Sequence, residues 1–277
     1  RPLVNLLEAA KDEQIAAIVP VREFNEDMYL VMVTGEGTIK KTPLNLFANI
    51  NRLGVIAINV QDDDRLIEAG TTDGSYHIIL ATKKGFAIHF PEETVRPMGR
   101  TAQGVRGIRL RDDDKVIGMV CNKHQDRTLL TVCQNGYGKR SPIDEYRLTN
   151  RGGKGIINIK ANSRNGDVVS IKEVLDDDEL MIVTQKGTLI RVTIGDIGVI
   201  GRNTQGVRLI RLEEKDRVID VARLAYRGEG NGDAEIQEED DDVEENGDLF
   251  GSEIIAAAGT APSLEEIEED WDDETED

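Results

Sequence analysis

Residues 206–210 are Gly-Val-Arg-Leu-Ile, a glycine followed by an apolar alternation, and the arrangement recurs at residues 54–58, 104–108 and 155–159. The four glycines are 50, 51 and 51 residues apart. A second glycine marker, in a polar turn, recurs at spacings of 48, 51 and 51 at Gly37, Gly85, Gly136 and Gly187. A third marker is an apolar pair after an acidic or polar turn, which begins at Leu66, Val116, Val168 and Val218. Three markers that share one period indicate a repeat array of the propeller or solenoid type.

Each repeat is predicted to contain four short strands. In the last complete repeat these are Val168–Val174, Leu180–Thr184, Thr188–Val192 and Val207–Leu212, which are short, rich in β-branched residues and bounded by Gly, Asp or Asn. Gly187 supplies the positive φ that a tight hairpin turn needs. Four strands per repeat in a circular array predict an all-β, propeller-like fold.

The charge of the chain is divided unevenly along its length. Residues 227–277 hold 22 of the 53 acidic residues and one of the 34 basic ones, so residues 1–226 carry a net charge of +2 within a total of −19. We expect residues 1–226 to form the folded domain and residues 227–277 to be a disordered acidic tail. Within the tail, Ile254–Ala258 and Leu264–Ile267 are expected to form transient helix at most. The tail is interpreted as a solubilising segment, a DNA mimic that competes for the basic residues, or a partner-binding segment.

The ends of the repeat array suggest that the sequence is a fragment. The chain begins with Arg1, and residues 1–7 resemble the last strand of an earlier repeat. Residues 214–226 resemble the first strand of a further repeat. We therefore expect an array that is truncated and open on its N-terminal side.

The sequence offers no constellation for catalysis, metal binding or membrane insertion. The acidic triplets at 62–64, 112–114 and 176–178 precede strands and lack the glycine and distal glutamate of a calcium loop, so we interpret them as turn residues. Cys121 and Cys133 lie in apolar runs and are expected to be core residues. The three histidines lack metal-ligand spacing. No long apolar segment, phosphate loop or nucleophile motif occurs, so we expect no membrane helix, no cofactor and no catalytic site.

Basic residues recur at two positions of the repeat. Four residues before the strand glycine stand Arg100, Arg151 and Arg202, with Lys154 in the same loop as Arg151. Four residues after the hairpin glycine stand Lys41, His89, Arg140 and Arg191, with Lys40 and Lys139 preceding two of them. Equivalent positions of a closed array lie on one ring, so these ten residues predict a basic belt.

A belt of cations meets the phosphates of duplex DNA at regular intervals and contributes affinity without reading sequence. Aromatic residues make up only 4% of the chain, which disfavours stacking on single-stranded bases as the main mode. The alternative is that basic residues in loops and at strand ends only prevent edge aggregation. The domain would then be a protein-interaction scaffold.

Three longer strings resemble the C-terminal domains of DNA gyrase A subunits. They are Gln134–Arg140 (QNGYGKR), Arg96–Arg100 (RPMGR) followed by Gly104–Leu110, and Val199–Val207, and the resemblance extends over about residues 1–226. It implies a β-pinwheel, a propeller-like disc whose blades exchange strands and which binds duplex DNA on its outer rim. It also implies partners, namely the rest of the A polypeptide and the gyrase B polypeptide in an A2B2 heterotetramer of the bacterial cytoplasm. ATP and Mg²⁺ would be used by other domains, so this chain would carry no cofactor.

The sequence departs from this family at one motif. The family's wrapping motif, Gln-Arg-Arg-Gly-Gly-Lys-Gly, belongs to the first blade, and the nearest match here is Asn150–Gly155 in a later repeat. Binding of DNA is therefore expected more firmly than full chiral wrapping. C-terminal domains of topoisomerase IV are the alternative, but their blades are fewer and less regular and they lack such a tail.

Overall fold

The computed structural model describes residues 14–49, 54–124 and 126–225, and the backbone of residues 253–259. These parts of the chain form strands joined by turns, four short 3₁₀-helices and no α-helix. The strands are β1 (Gln14–Val21), β2 (Tyr29–Thr34), β3 (Thr38–Pro43), β4 (Leu66–Thr72), β5 (His77–Thr82), β6 (Phe86–Pro91), β7 (Val105–Arg106), β8 (Val116–Asn122), β9 (Thr128–Cys133), β10 (Tyr137–Pro142), β11 (Ile156–Ile157), β12 (Val168–Val174), β13 (Glu179–Thr184), β14 (Leu189–Thr193), β15 (Val207–Arg208), β16 (Val218–Leu224) and β17 (Glu253–Gly259). The 3₁₀-helices are Leu44–Phe47, Glu92–Thr94, Ile143–Glu145 and Ile194–Asp196.

The strands assemble into four blades that exchange strands, which confirms the all-β pinwheel. Blade 1 has the order β4-β2-β3-β7, blade 2 has β8-β5-β6-β11, blade 3 has β12-β9-β10-β15, and blade 4 has β16-β13-β14. In each, a central hairpin pairs on its inner side with the next seven-residue strand of the chain, which is β4, β8, β12 or β16. On its outer side, the hairpins of blades 1 to 3 pair with a short strand that follows the next hairpin.

The exchange of strands that the family resemblance implies means that the four strands of one repeat do not form one blade. Val168–Val174 is a strand as predicted, but it pairs with β9 of the preceding hairpin. The predicted strand Val207–Leu212 is shorter, β15, and pairs with β10. Likewise β16 completes the inner edge of blade 4 instead of starting a new blade. The period of the sequence could not show which strands pair, because each repeat contributes strands to neighbouring blades.

The two glycine markers mark places without room for a side chain. Gly85 at the hairpin turn has φ +85°, and a Cβ there would lie 2.3 Å from the carbonyl oxygen of Ile159 in the next repeat. Gly206, before β15, has φ +76°, and its Cβ would lie 2.6 Å from the oxygen of Gly138 on β10. Glycine is required because it combines a left-handed backbone with close approach between strands.

The core lies between blades, so the central hairpins of blades 1 to 3 are covered on both faces. Val31 and Ile39 of blade 1 pack with Ile78, Leu80 and Phe90 of blade 2 in one cluster. In β3, four consecutive residues are buried although successive side chains point to opposite faces. Polar residues on these strands are therefore buried too.

The inner strands surround a central cavity of about 1130 Å³. Strand β1 packs against β4, β4 against β8, β8 against β12 and β12 against β16. The second residue of each inner strand lines the cavity, namely Ile15, Ile67, Ile117, Val169 and Ile219. The cavity is lined by these apolar residues together with charged residues such as Asp62, Arg65 and Lys115, and the exchanged strands lie at the outer edge.

Part of the acidic segment is a strand. β17 pairs antiparallel with β1, with Gln14 opposite Gly259 and Val21 opposite Glu253. The expectation of transient helix at Ile254–Ala258 is therefore wrong. A helix of this length is marginal in water, whereas β1 offers an edge whose backbone groups need partners. The rest of 227–277, including Leu264–Ile267, and residues 1–7 lie outside the described residues.

Candidate nucleic-acid interface

The basic residues four positions after the hairpin glycine connect neighbouring blades. His89 Nδ1 donates to the Tyr146 carbonyl oxygen at 2.7 Å, and Arg140 Nε donates to the Ile197 carbonyl oxygen at 2.5 Å. Both bonds reach from the second strand of one hairpin to the residue that follows the 3₁₀-helix of the next repeat, 57 residues later. Both side chains are buried, and burial lowers the pKa of His89, so the imidazole is neutral.

Lys41 occupies the same position in blade 1 and forms a buried ion pair. Its Nζ lies 3.5 Å from a carboxylate oxygen of Glu92 and donates to the Glu92 carbonyl oxygen at 3.2 Å. The ammonium also lies 4.8 Å from the centre of the Tyr29 ring. Only 4% of the Lys41 side chain and 1% of the Glu92 side chain are exposed to solvent, so Lys41 cannot contact DNA in this conformation.

Lys40 and Lys139 are fully buried at 0% exposure. Lys40 Nζ donates to the carbonyl oxygens of Ala57, at 2.6 Å, and of Arg100. Lys139 Nζ donates to Ser141 Oγ at 2.5 Å and to the Gly201 carbonyl oxygen at 3.4 Å. Burial lowers the pKa of Lys40 to about 8 and that of Lys139 to about 7, because removal from water penalises the ammonium.

The expectation of an exposed belt is therefore wrong for five of the ten residues. These residues recur at the same two positions of the repeat, but their side chains lie between blades and support the outer loops. These five are Lys40, Lys41, His89, Lys139 and Arg140.

Two of the loop arginines are half-buried and bind the preceding blade through equivalent bonds. Arg151 donates from Nε to Thr94 O at 2.9 Å and from Nη1 to Arg106 O at 3.0 Å. Arg202 donates from Nε to Glu145 O at 3.2 Å and from Nη1 to Ile157 O at 2.7 Å. The shared spacings of 57 and 45 residues show one structural device, which holds each glycine loop against the rim.

Arg100, Lys154 and Arg191 complete the predicted set. Arg100 is half-buried, and its carbonyl oxygen accepts the bond from Lys40. Lys154 and Arg191 are exposed. Arg191 lies on β14 of blade 4 and donates from Nε to Glu179 Oε2 at 2.8 Å. The described residues contain no further blade for Arg191 to bind, which explains why it differs from His89 and Arg140.

A second basic register, absent from the sequence-based set, faces solvent. Arg109, Lys160 and Arg211 each lie five residues after the strand glycine, at spacings of 51 residues, and all three are exposed. The backbone N–H of Arg109 donates to Gly153 O, and that of Lys160 donates to Thr204 O, both at 2.8 Å. Arg109 and Lys160 thus lie beside the glycine loop of the following repeat. Within the described residues none of the three forms an ion pair.

The outermost strands add cations to the same surface. Arg106 of β7 and Arg208 of β15 are exposed, and so is Arg147 beside Lys154 in a groove of about 240 Å³. The Lys154 carbonyl oxygen accepts a bond from Arg111 Nη1 at 2.8 Å, so this loop is fixed while its ammonium remains free. We call the surface formed by the outer strands β7, β11 and β15 and their adjoining loops the outer rim.

The remaining polar groups do not suggest metal binding or nucleophilic chemistry. Asp64 and Asp114 each accept a backbone N–H of a hairpin turn, from Glu36 and Lys84, at 2.9 Å, as expected of turn residues. No cluster of three potential metal ligands occurs in the part of the chain that the structure describes. Burial raises the pKa of Cys133 to about 12 and that of Cys121 further, so both thiols are poor nucleophiles. Among the described residues no helix is long and apolar enough to cross a bilayer.

Comparison with known proteins gives the same picture of repeated blades. The model of a family described as "DNA gyrase C-terminal domain, beta-propeller" matches residues 29–73, 76–123, 127–174 and 178–225. Each match covers one hairpin and its inner strand.

Curated relatives are DNA gyrase A subunits. The DNA gyrase A protein of Salmonella typhimurium is 43% identical over 266 residues, covering 96% of this chain and 30% of that protein. The DNA gyrase A protein of Staphylococcus aureus (strain MRSA252) is 41% identical over 278 residues, covering 99% of this chain and 31% of that protein. The chain therefore spans less than a third of the length of these relatives.

Two solved structures share the fold over most of the chain. The C-terminal domain of DNA topoisomerase IV superposes with a TM-score of 0.76 at 26% identity, covering 80% of this chain and 70% of that one. The DNA gyrase A C-terminal domain superposes with a TM-score of 0.73 at 27% identity, covering 81% and 75%. With the family match over four blades and the curated relatives, these likenesses show that the chain belongs to the family of DNA gyrase A C-terminal domains.

Proposed function

We propose that this chain is a non-catalytic domain that binds duplex DNA on the outer rim and wraps it. The observation that carries the proposal is the exposed register Arg109, Lys160 and Arg211, which places one unpaired cation on each of three successive blades. Regularly spaced cations on a curved edge suit a duplex that is bent along that edge. The cost of bending is several kcal/mol and needs many contacts to offset it.

The buried basic residues support this function indirectly. Lys40, Lys139, Arg151 and Arg202 bind carbonyl oxygens of the outer loops and hold those loops in place. A loop that is fixed before DNA arrives loses less conformational entropy on binding. We therefore assign phosphate contact to Lys154, Arg109, Lys160 and Arg211, and loop support to the residues beneath them.

The family suggests the setting in which such wrapping acts. We propose that the domain serves a DNA gyrase A protein, which assembles with gyrase B into an A2B2 enzyme in the bacterial cytoplasm. ATP and Mg²⁺ would be used in other domains. Wrapping here would bias which duplex is passed through which, and so support negative supercoiling.

The acidic segment is proposed to regulate the rim. It carries all of the excess negative charge of the chain, since residues 1–226 have a net charge of +2, and it is covalently tethered, so weak contacts to the rim would act at high effective concentration. Strand β17 fixes one point of this segment on β1. Both flanking stretches would then start from a defined position.

The test is ligation of nicked plasmid in the presence of the chain, with the change in linking number measured on a gel. Three forms are compared: the full chain, a form ending at Gly259 that keeps β17, and a form ending at Tyr226. A positive linking-number shift that grows as acidic residues are removed is expected. Binding without a shift would contradict wrapping, and no binding at low salt would favour the protein-interaction scaffold.

A further inference from the structure

Blade 3 gathers three arginines at one point of the outer rim. Arg164, Arg208 and Arg211 line a single open concavity of about 460 Å³, with Tyr137 at its base. All three arginines are exposed. Within the described residues none of them pairs with a carboxylate, so three positive charges share one site without an anion.

The Tyr137 side chain contacts two of these guanidinium groups. Arg208 Nη2 donates to the phenolic oxygen at 2.9 Å. The guanidinium carbons of Arg164 and Arg208 lie 5.0 and 5.4 Å from the ring centre. Hydrogen bonds from Arg208 and then from Arg164 lower the pKa of Tyr137. Two cations that would otherwise repel thus both lie against the Tyr137 side chain.

The loop that carries Arg164 is rigidly built. Its neighbour Asn165 is fully buried and donates from Nδ2 to Lys160 O and Gln205 O, both at 3.0 Å. Asn135 Nδ2 lies 3.2 Å from the carbonyl oxygen of Arg164 itself and donates to it. Repeat 3 here has an asparagine-rich turn where repeats 1 and 2 have three aspartates, so the arginine is presented by a fixed backbone.

The other blades lack this combination. The residue pair equivalent to Tyr137 and Arg208 is Thr38 and Arg106 in blade 1, and Phe86 and Ile157 in blade 2. In blade 2, Arg111 stacks on the Phe86 ring at 3.4 Å, but a phenyl ring has no oxygen to gather a second guanidinium. Only blade 3, among the described blades, joins a hydroxyl to several free arginines.

We propose that Arg164, Arg208 and Arg211 form a preformed clamp for one backbone phosphate of duplex DNA, and that this clamp is the strongest single phosphate contact of the outer rim. The proposal rests on the proposed function. Planar guanidinium groups match phosphate oxygens with paired N–H donors, and such charge-assisted bonds are stronger than neutral ones. Tyr137 is a positioning residue, since it contacts the arginines and not the phosphate. The clamp gives a wrapped duplex one fixed point from which the weaker contacts of other blades follow.

The test combines two probes on the full chain. Inorganic phosphate is titrated while the Nε–Hε signals of arginine side chains are followed by NMR, and affinity for a duplex of about 40 base pairs is measured by fluorescence anisotropy. Arg208→Gln is compared with Arg217→Gln, which removes the same charge from an exposed arginine just before the inner strand β16. A further pair, Tyr137→Phe alone and combined with Arg208→Gln, tests the positioning role.

The clamp predicts that phosphate shifts the signals of Arg164, Arg208 and Arg211 along one saturating curve. Arg208→Gln should weaken duplex binding on the order of tenfold, and Arg217→Gln less than about twofold. The double variant should bind no more weakly than Arg208→Gln, because both changes remove one interaction. Duplex binding by the wild type that Arg208→Gln and Arg217→Gln reduce equally would overturn the clamp alone. No duplex binding by the wild type at low salt would overturn the proposed function and the clamp together.

Discussion

Glu92, the buried partner of Lys41, occupies a position where the other repeats carry an apolar residue. The residues equivalent to Glu92 are Leu44, Ile143 and Ile194, all of them buried. Neither carboxylate oxygen of Glu92 has a hydrogen-bond partner among the described residues, and Lys41 is the cation that pairs with it, at 3.5 Å. Such a pair adds little stability as a whole, but it makes each partner depend on the other.

Lys41→Met should therefore destabilise the full chain by about 3–5 kcal/mol, because it leaves a buried carboxylate without its counterion. The double change Lys41→Met with Glu92→Ile should recover most of this loss, since it leaves no buried charge without a partner and places at position 92 the isoleucine that repeats 3 and 4 carry there. Urea unfolding monitored by circular dichroism measures both. If the single variant were as stable as the double variant, the pair would not be coupled.

Lys139 gives the stability of the chain a distinctive pH dependence. Its pKa is about 7 when folded, against 10.5 for an ordinary lysine, so between these values the unfolded chain binds more protons. The free energy of unfolding should then rise with pH from about 7 to about 10, by at most about 1.4 kcal/mol per pH unit for this group. Below pH 7 the penalty of the buried ammonium is fully present.

Lys139→Ile should remove the contribution of this residue to that rise, because isoleucine does not titrate. The side chain should fit, since blades 2 and 4 already carry isoleucine at the position, as Ile88 and Ile190. Unfolding free energies from about pH 6.5 to about pH 10 measure the slope, with the exposed Lys83→Gln as control. Lys40 contributes in the same direction, since its pKa is lowered to about 8. A slope unchanged by Lys139→Ile would contradict the buried-ammonium account.

At the scale of elements, the hairpin turns of blades 1 to 3 pack against the next repeat, whereas the turn of blade 4 does not. Gly85 in blade 2 and Gly187 in blade 4 occupy the same turn position with nearly the same φ, +85° and +83°. A Cβ on Gly85 would collide with Ile159 of the next repeat, whereas a Cβ on Gly187 would meet nothing within 4 Å. The two turns thus differ in packing and not in backbone conformation.

Gly187→Ala should cost about 1–2 kcal/mol, the penalty of a left-handed alanine. Gly85→Ala should cost at least about 1 kcal/mol more, because the strand of the next blade must also move. The difference between the two unfolding free energies isolates the contact between blades. Equal costs would mean that the turn of blade 2 is not held by its neighbour.

The same packing explains how far the sequence could be interpreted. The period, the hairpin turns and the strand Val168–Val174 follow from local patterns, and the structure confirms them. Which side chains are buried could not be predicted from these patterns, because β3 and β10 are covered on both faces and lose the usual alternation of buried and exposed residues. Burial of Lys40 and Lys139 could therefore not be distinguished from exposure. The register of Arg109 has the same period as the buried one, and sequence alone does not say which faces outward.

At the scale of the whole molecule, the buried basic residues and the exposed basic residues occupy different places in the structure. Buried cations and half-buried arginines tie each blade to the next, and exposed cations remain free on the outer rim. Inner strands surround the central cavity, across the sheet from the exchanged outer strands and about three strand spacings, or roughly 14 Å, away from them. Cations at the inner edge, such as Arg65 and Arg217, therefore provide a matched comparison for those of the rim.

The most direct measurement is the salt dependence of duplex binding by the full chain. Two triple variants that remove equal charge are compared: Arg109→Gln, Lys160→Gln and Arg211→Gln on the rim, and Arg65→Gln, Lys115→Gln and Arg217→Gln before the inner strands. The rim triple should reduce the slope of log affinity against log salt by about 2.7, or about 0.9 for each lost phosphate contact, and the inner triple should leave it unchanged. Equal slopes for the two triples would contradict the assignment of DNA binding to the outer rim.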